Sequence, residues 1–303
     1  MPFAPDFSVS VCVPATSANL GPGFDALGLA LGLHNTLELR VSERDSLEAS
    51  GEGAEQLQNV STTIAHTAAK QIFAGLGHEI GGVHLKLDNA IPFARGLGSS
   101  SAAIVAGMLA ANKYCAAQTG KSFSQSQILE FACALEGHPD NVAPALLGGF
   151  VAAAMGENGA VSAVKIAVKT WPQFVVFIPD SELSTHFARG VLPASYSRAD
   201  AVFNLSRAAL LVAALSSGDF SALREALHDR IHQPFRAPLV PGWREVTGAA
   251  QSAGAIGTTL SGAGPTILAW TTAQNSEAVQ NAMQNAAHEA KVAGRCLVLD
   301  AVL

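Results

Sequence analysis

The chain has 303 residues, 49% of them apolar and only 14% charged, with a formal net charge of −6. That length suits about two domains with a substantial core, and the composition excludes a disordered chain. A negative net charge supplies no global basic field toward nucleic acid or an anionic membrane, so neither is expected as a partner and any phosphate site has to be local.

The opening MPFAPDFSVS carries no basic segment followed by an apolar run, so no secretory leader is expected and the chain reads as cytoplasmic. Residues 8–13 alternate as a strand does, LGLALGL at 27–33 places apolar residues at every second position, and TLELRV at 36–41 alternates again. A helix is expected over 61–76, a strand over 83–88 and a helix from about Ser99. Ser124 or Ser126 caps the next helix, which reaches Leu135. Strands follow at 150–155, 161–168 and 174–178, then helices near 199–216, 220–228 and 242–253. A strand at 266–270, a helix at 276–290 and a strand at 295–299 complete the chain. Strands mixed with helices argue an α/β or α+β fold in two lobes, divided near residue 165. The longest charge-free stretch, 246–276, is broken by Gly, Ser, Thr and Pro and cannot form a spanning helix. Cys12, Cys115, Cys133 and Cys296 lack CxxC spacing, and their apolar surroundings predict buried, reduced thiols.

Three segments concentrate glycine with small polar residues: PATSANLGPGFDALGL at 14–29, PFARGLGSSSAA at 92–103 and LSGAGPT at 260–266. In the middle one, glycines that permit close backbone approach precede serines that begin a helix. A helix start exposes unpaired N–H groups and about half a positive charge, which suits phosphate without any basic residue. Serine hydroxyls there suit Mg²⁺. An ordinary turn with a serine cap uses the same residues, so the loop alone leaves both readings open. No lysine follows the glycines, so this is not a Walker A loop. GPGFDA at 21–26 matches the dinucleotide pattern formally, but a strand-like run follows where that fold requires a helix.

Charged groups cluster at three further places. EFACALEGHPDN at 130–141 ends a helix at Gly-His-Pro and displays His138, Asp140 and Asn141 beside the apolar APALLGGF. A lone histidine with carboxylates is a poor zinc set, and carboxylate with hydroxyl suits Mg²⁺ better. Asn19 and Asp25 sit on the first glycine-rich loop, where ligand binding and local turn chemistry are both open. Arg189 and Arg236 are flanked by apolar residues. Their planar forks suit a carboxylate, either a substrate's or the protein's own.

Read together, PATSANLGPGFDALGLAL, PFARGLGSSSAA, EGHPDNVAPALLGGF, STHFARGVLP, QPFRAPLVPG and LSGAGPTI resemble the GHMP kinase superfamily, and within it the homoserine kinases, over nearly the whole chain. The resemblance implies an α+β two-domain fold. Residues 1–165 would form an ATP-binding domain like the second domain of ribosomal protein S5, and residues 166–303 a ferredoxin-like domain, with the active site between them. It implies transfer of the γ-phosphoryl group of ATP to the side-chain hydroxyl of L-homoserine, a step toward threonine, with Mg²⁺ and with a homodimer as the family-level assembly. Pro92, Phe93, Ala94, Arg95, Gly96, Leu97, Gly98, Ser99, Ser100, Ser101 and Ala102 match the loop that wraps ATP. Ser100 and Glu130 match the metal ligands, with Glu136 as second choice, while Asn19, Asp25, His138, Asn141, Thr185, Arg189 and Arg236 match substrate positions. Chemistry agrees: two arginines clamp an amino acid's carboxylate, Asp25 accepts its ammonium and Asn141 aims its hydroxyl. Many relatives place an Asp base where this chain has Asn141, which implies catalysis by alignment and charge neutralisation, with Asp25 not an obligatory base. A kinase of another small alcohol (an isoprenoid precursor or a sugar) and a non-catalytic ligand sensor remain the alternatives.

Overall fold

The computed structural model describes residues 7–303; residues 1–6, on which the leader reading partly rests, lie outside the described residues. The first sheet is built around one long strand. β1 (Ser8–Ala18) and β2 (Leu27–Ser42) pair antiparallel along their length, with a register shift between Pro14 and Ala15. LGLALGL and TLELRV are therefore one strand rather than two. On its other edge β2 receives β4 (Gly82–Asn89) along its second half and β5 (Phe150–Met155) along its first. β3 (Ser46–Gly51) pairs parallel with β4, and β6 (Val161–Ile166) closes the far side on β5.

Helices cover this sheet. Between β3 and β4 lie the single turn α1 (Ala54–Leu57) and α2 (Ile64–Gly75). α3 (Ser99–Thr119) carries one charge, Lys113, and is buried on nearly every side, as a helix in the middle of a core must be. It lies so close to α2 that a Cβ on Gly107 would meet the Ala65 carbonyl oxygen at 2.4 Å. α4 (Gln125–Glu136) starts with a capping box at Ser124, as expected, and Gly137 ends it in the left-handed region. The chain does not then stay irregular. Pro139 opens α5 (Pro139–Leu147), because proline at the first helical position loses no hydrogen bond and has the right φ.

The second sheet is antiparallel, in the order β10 (Gly294–Leu299), β7 (Gln173–Pro179), β9 (Ile267–Thr271), β8 (Gly257–Leu260). QFVVFIP in β7 lacks polar alternation because both faces are covered. Phe174, Val176 and Ile178 join the main core, while Val175 and Phe177 pack with Val246, Ala250 and Met283 of α10 (Trp243–Ser252) and α11 (Ser276–Glu289). Between β7 and α10 run α6 (Thr185–Gly190), α7 (Arg198–Ser217), α8 (Leu223–Ala226) and α9 (Gln233–Arg236). α7 is long and apolar enough to cross a bilayer by length and composition alone, a feature the charge-free-stretch reading missed; its side bearing Asn204, Leu211, Ala214 and Leu215 is buried in the protein. Two sheets with their helices make the α+β architecture that the resemblance implies.

One expectation about the thiols is corrected. Cys115, Cys133 and Cys296 are buried, but Cys12 is exposed. It follows Val11 in the half of β1 where alternate residues face outward, so its apolar neighbours in sequence lie on the opposite face.

Candidate active site

The three glycine-rich segments meet. β1 runs into a loop in which Asn19, Leu20 and Asp25 have φ of 68°, 50° and 54°. Asn and Asp tolerate this left-handed backbone better than most residues, and Asn19 secures it: its Oδ1 accepts the Asp25 N–H at 3.0 Å. Its Nδ2 donates to the Gly262 carbonyl at 2.8 Å, reaching the LSGAGPT segment. Ser261 Oγ in turn donates to the Gly96 carbonyl at 2.6 Å, and the Thr16 N–H donates to the Leu97 carbonyl at 3.0 Å. Each loop thus holds the other two.

A cavity of about 420 Å³ opens where they converge. Its first wall is the start of α3: Gly98, at φ +70°, is the N-cap, and Ser99 and Ser100 follow into the cavity. Ser100 Oγ donates to Glu136 Oε2 at 3.0 Å and Ser101 Oγ to Glu136 Oε1 at 2.8 Å. Glu136, not Glu130, therefore stands beside the serines. Glu130 is exposed on α4 and does not line the cavity; six residues separate the two, roughly 240° around a helix, so they point to different sides. Within the loop, Leu97, Ser101 and Ala102 are buried beneath the surface that Ala94, Gly96 and Ser99 present. Arg95 borders the cavity, but its guanidinium donates to the carbonyls of Phe93 at 2.9 Å and Pro179 at 2.8 Å and lies 3.4 Å from Glu182. It fastens the loop to the end of β7.

The floor comes from the α4–α5 junction. His138 is the N-cap residue of α5, and its Nδ1 lies 2.8 Å from Oδ1 of the buried Asp140. That hydrogen bond raises the His138 pKa above the usual histidine value, against the opposing effect of burial. Asn141, one residue on, accepts the Thr16 hydroxyl at Oδ1, 2.8 Å away.

Two arginines form the opposite wall, in different states. Arg189, on α6, donates from both terminal nitrogens to Asp25, at 3.0 and 2.6 Å, and this pairing raises its pKa. Arg236, on α9, is 1% exposed. Its Nε donates to the Ala188 carbonyl at 3.0 Å and its Nη1 to the Gly262 carbonyl at 3.5 Å. Among the described residues it forms no ion pair with a carboxylate. Burial pushes its pKa down, and the like charge of Arg189 adds to this. The Phe24 ring lies 5.5 Å from one guanidinium and 5.3 Å from the other. Thr185 lines the cavity from the first residue of α6.

Sequence reasoning passed over two groups here. His232 is fully buried, with Nε2 2.8 Å from the Gly21 carbonyl, Nδ1 3.4 Å from Arg236 Nη1 and its ring stacked on Phe24 at 5.4 Å. Burial holds its pKa below the ordinary histidine value. The signal for it was the four-residue spacing to Arg236 in HQPFR. Thr16 lies inside a motif quoted for its glycines, and nothing in its own spacing marks it. A second, apolar cavity of about 270 Å³ adjoins the first and shares Ala94, Ser99 and Ser100 with it; Leu57, Ile64, Leu87 and Phe93 line it.

Family models agree with this arrangement. The GHMP kinase N-terminal domain matches residues 62–149 and the GHMP kinase C-terminal domain residues 211–289. The chain is 47% identical over 277 residues to a homoserine kinase of Desulfitobacterium hafniense, covering 91% of each chain. It is 44% identical over 300 residues to one of Trichormus variabilis, covering 97% of each. The chain belongs to the homoserine kinase family. A crystal structure of a homoserine kinase from Cytophaga hutchinsonii superposes with a TM-score of 0.87 at 30% identity, covering 100% of this chain and 98% of that one. The fold extends further than the family: L. major mevalonate kinase, 14% identical, matches with a TM-score of 0.71 over 98% of each chain. Within the homoserine kinase family, this chain presents its cavity between a helix start and a pair of guanidiniums.

Proposed function

We propose that the protein transfers the γ-phosphoryl group of ATP to the side-chain hydroxyl of L-homoserine. The observation that carries this reading is Arg236: a buried guanidinium with no carboxylate of its own, bordering the cavity that begins at the α3 N-terminus. A buried cation is costly unless an anion completes it, and an amino acid's carboxylate does so with matching planar geometry. The neighbouring Asp25–Arg189 pair suits the rest of a zwitterion, since an ammonium can share Asp25 while Arg189 turns toward the acid end. The unpaired N–H groups at the start of α3 receive the phosphates, and the adjoining apolar cavity takes the base.

Mg²⁺ fits the donor set. Glu136 stands beside the phosphate-binding helix start with both carboxylate oxygens turned to serine hydroxyls, and a carboxylate there repels phosphate unless a cation lies between. Ser100 and Glu136 would hold the ion, which supplies charge neutralisation, while phosphate oxygens and water complete an oxygen shell. Among the described residues no cluster of three or more His, Cys, Asp and Glu exists to bind a metal by protein alone. In this reading Asn141 aims the hydroxyl, Asp25 is not an obligatory base, and alignment and neutralisation carry the reaction.

We assign residues 1–165 to the ATP-binding domain and 166–303 to its partner domain, small molecules as the ligands and the cytoplasm as the location. We add a homodimer as the assembly, which sedimentation equilibrium tests. A coupled ADP assay with homoserine, other hydroxy amino acids, mevalonate and galactose, with and without Mg²⁺, tests the activity. Release of ADP that depends on homoserine and Mg²⁺ is the expected result; turnover of mevalonate or galactose in its place, or none at all, rejects the proposal.

A further inference from the structure

Thr16 is fully buried in β1, immediately after the register shift at Pro14 and Ala15. Irregularities of this kind re-aim side chains beside active sites. Its backbone is fixed by the bond to Leu97, and its hydroxyl donates to Asn141 Oδ1. The third member of the contact is Gly98. A Cβ there would meet Thr16 Oγ1 at 1.9 Å and Asn141 Oδ1 at 3.1 Å, so the glycine leaves the space in which threonine and amide meet. Thr16 lies directly behind the point of the cavity wall where Asn141 meets the start of α3.

An amide side chain has two faces of opposite character, and which one meets a ligand depends on its fixed partner. Oδ1 is turned to the Thr16 hydroxyl and to the space beside Gly98, so the two Nδ2 hydrogens, which have no protein acceptor among the described residues, are what Asn141 offers the cavity it lines. We infer that Thr16 is a positioning residue: it locks Asn141 so that N–H, rather than C=O, faces the reacting oxygens. A donor in that place stabilises negative charge that grows on oxygen during transfer and takes no proton. This inference rests on the kinase reading above and adds to it how the amide is oriented and by which group.

The test is a double-mutant cycle in the full-length protein, read by steady-state kinetics for both substrates and by thermal melting. Thr16→Val keeps the branched shape and removes the hydroxyl. It is expected to lower kcat about tenfold, the value of one hydrogen bond, with both KM values within about twofold of the parent. Thr16→Ser restores the donor and most of the rate. Asn141→Ala lowers kcat further, by about a hundredfold, and adding Thr16→Val to it costs nothing more, because the threonine acts only through the amide. Full activity in Thr16→Val, or an equal loss in both backgrounds, overturns the inference. If the valine variant does not fold, Thr16→Ser against Thr16→Cys gives the same comparison, since the thiol is a weak donor. A parent protein inactive on homoserine refutes the kinase reading; an active parent with an unaffected valine variant refutes only the role of Thr16.

Discussion

Replacing Arg236 with methionine separates binding from folding. The substitution keeps an unbranched stem in the packed site and deletes the guanidinium. If that group meets a substrate carboxylate with two charge-assisted hydrogen bonds, each worth ~1.5 kcal/mol, the loss is about 3 kcal/mol, or roughly a hundredfold in KM for homoserine. The free protein balances differently. The Ala188 carbonyl loses a donor, at about 1–3 kcal/mol, while Gly262 keeps Asn19; the attraction of Asp25, Asp140 and Asp229 is also lost, and against these stands relief of a buried cation's desolvation cost of several kcal/mol. The two effects are of similar size, so the melting temperature should hold within a few degrees. KM for ATP should not move, because the arginine stands on the wall away from the α3 start. Coupled ADP kinetics with each substrate varied in turn, beside calorimetry, gives all three quantities. A homoserine KM within threefold of the parent in a folded variant refutes the reasoning; so does a collapse in stability with unchanged KM, which makes Arg236 a structural tie.

Three other outcomes are expected. Glu136→Gln should lower kcat by at least about tenfold and raise the Mg²⁺ needed for half-maximal rate, whereas Glu130→Gln, on the exposed side of α4, should behave as the parent; the opposite ranking restores Glu130 as the ligand. The bond to Asp140 raises the His138 pKa, so its stabilising contribution is complete below about pH 6.5 and is lost as pH rises through the elevated folded value. Asp140→Asn should bring the His138 titration, followed by its NMR ring resonances, back down; an unmoved midpoint rejects that cause. Burial pushes the Cys115 thiol up to about 11 and those of Cys133 and Cys296 up to about 12. A disulfide reagent at pH 8 should therefore label Cys12 alone in the native protein, and rapid modification of a second thiol contradicts the buried placement of the rest.

Local signals carried most of the fold. Segments with alternation or a cap, such as TLELRV within β2 and the capped α4, lie where the pattern puts them, because those signals are properties of the segment itself; β5 and α3, apolar runs without a period, were marked by the glycines before them. Elements defined by tertiary pairing were illegible. β3 and β8, of six and four residues, are too short for their own pattern to stand out and are defined by pairing with the edges of β4 and β9. α5 was hidden by its prolines, which read as a stop when Pro139 is in fact a start. At the site, the arginines, Asp25 and the serine loop were visible as motifs, but their states were not: only the folded arrangement distinguishes Arg189, paired with Asp25, from Arg236, held by carbonyls. Of the two candidate carboxylates, the spacing matched by the resemblance favoured Glu130, whereas the turn of α4 toward α3 brings Glu136 to the serines. His232 and Thr16 meet the site through Arg236 and Asn141, contacts that motif and spacing alone do not establish.

The mutual fastening of three loops, with Asn19 reaching Gly262, Ser261 reaching Gly96 and Thr16 reaching Leu97, bears on how ligands arrive. If ATP and homoserine bind as proposed, neither has to build the loops that seat the other, so binding in either order is expected, and the ordering left to each turnover falls on side chains such as Arg189, which has to turn from Asp25.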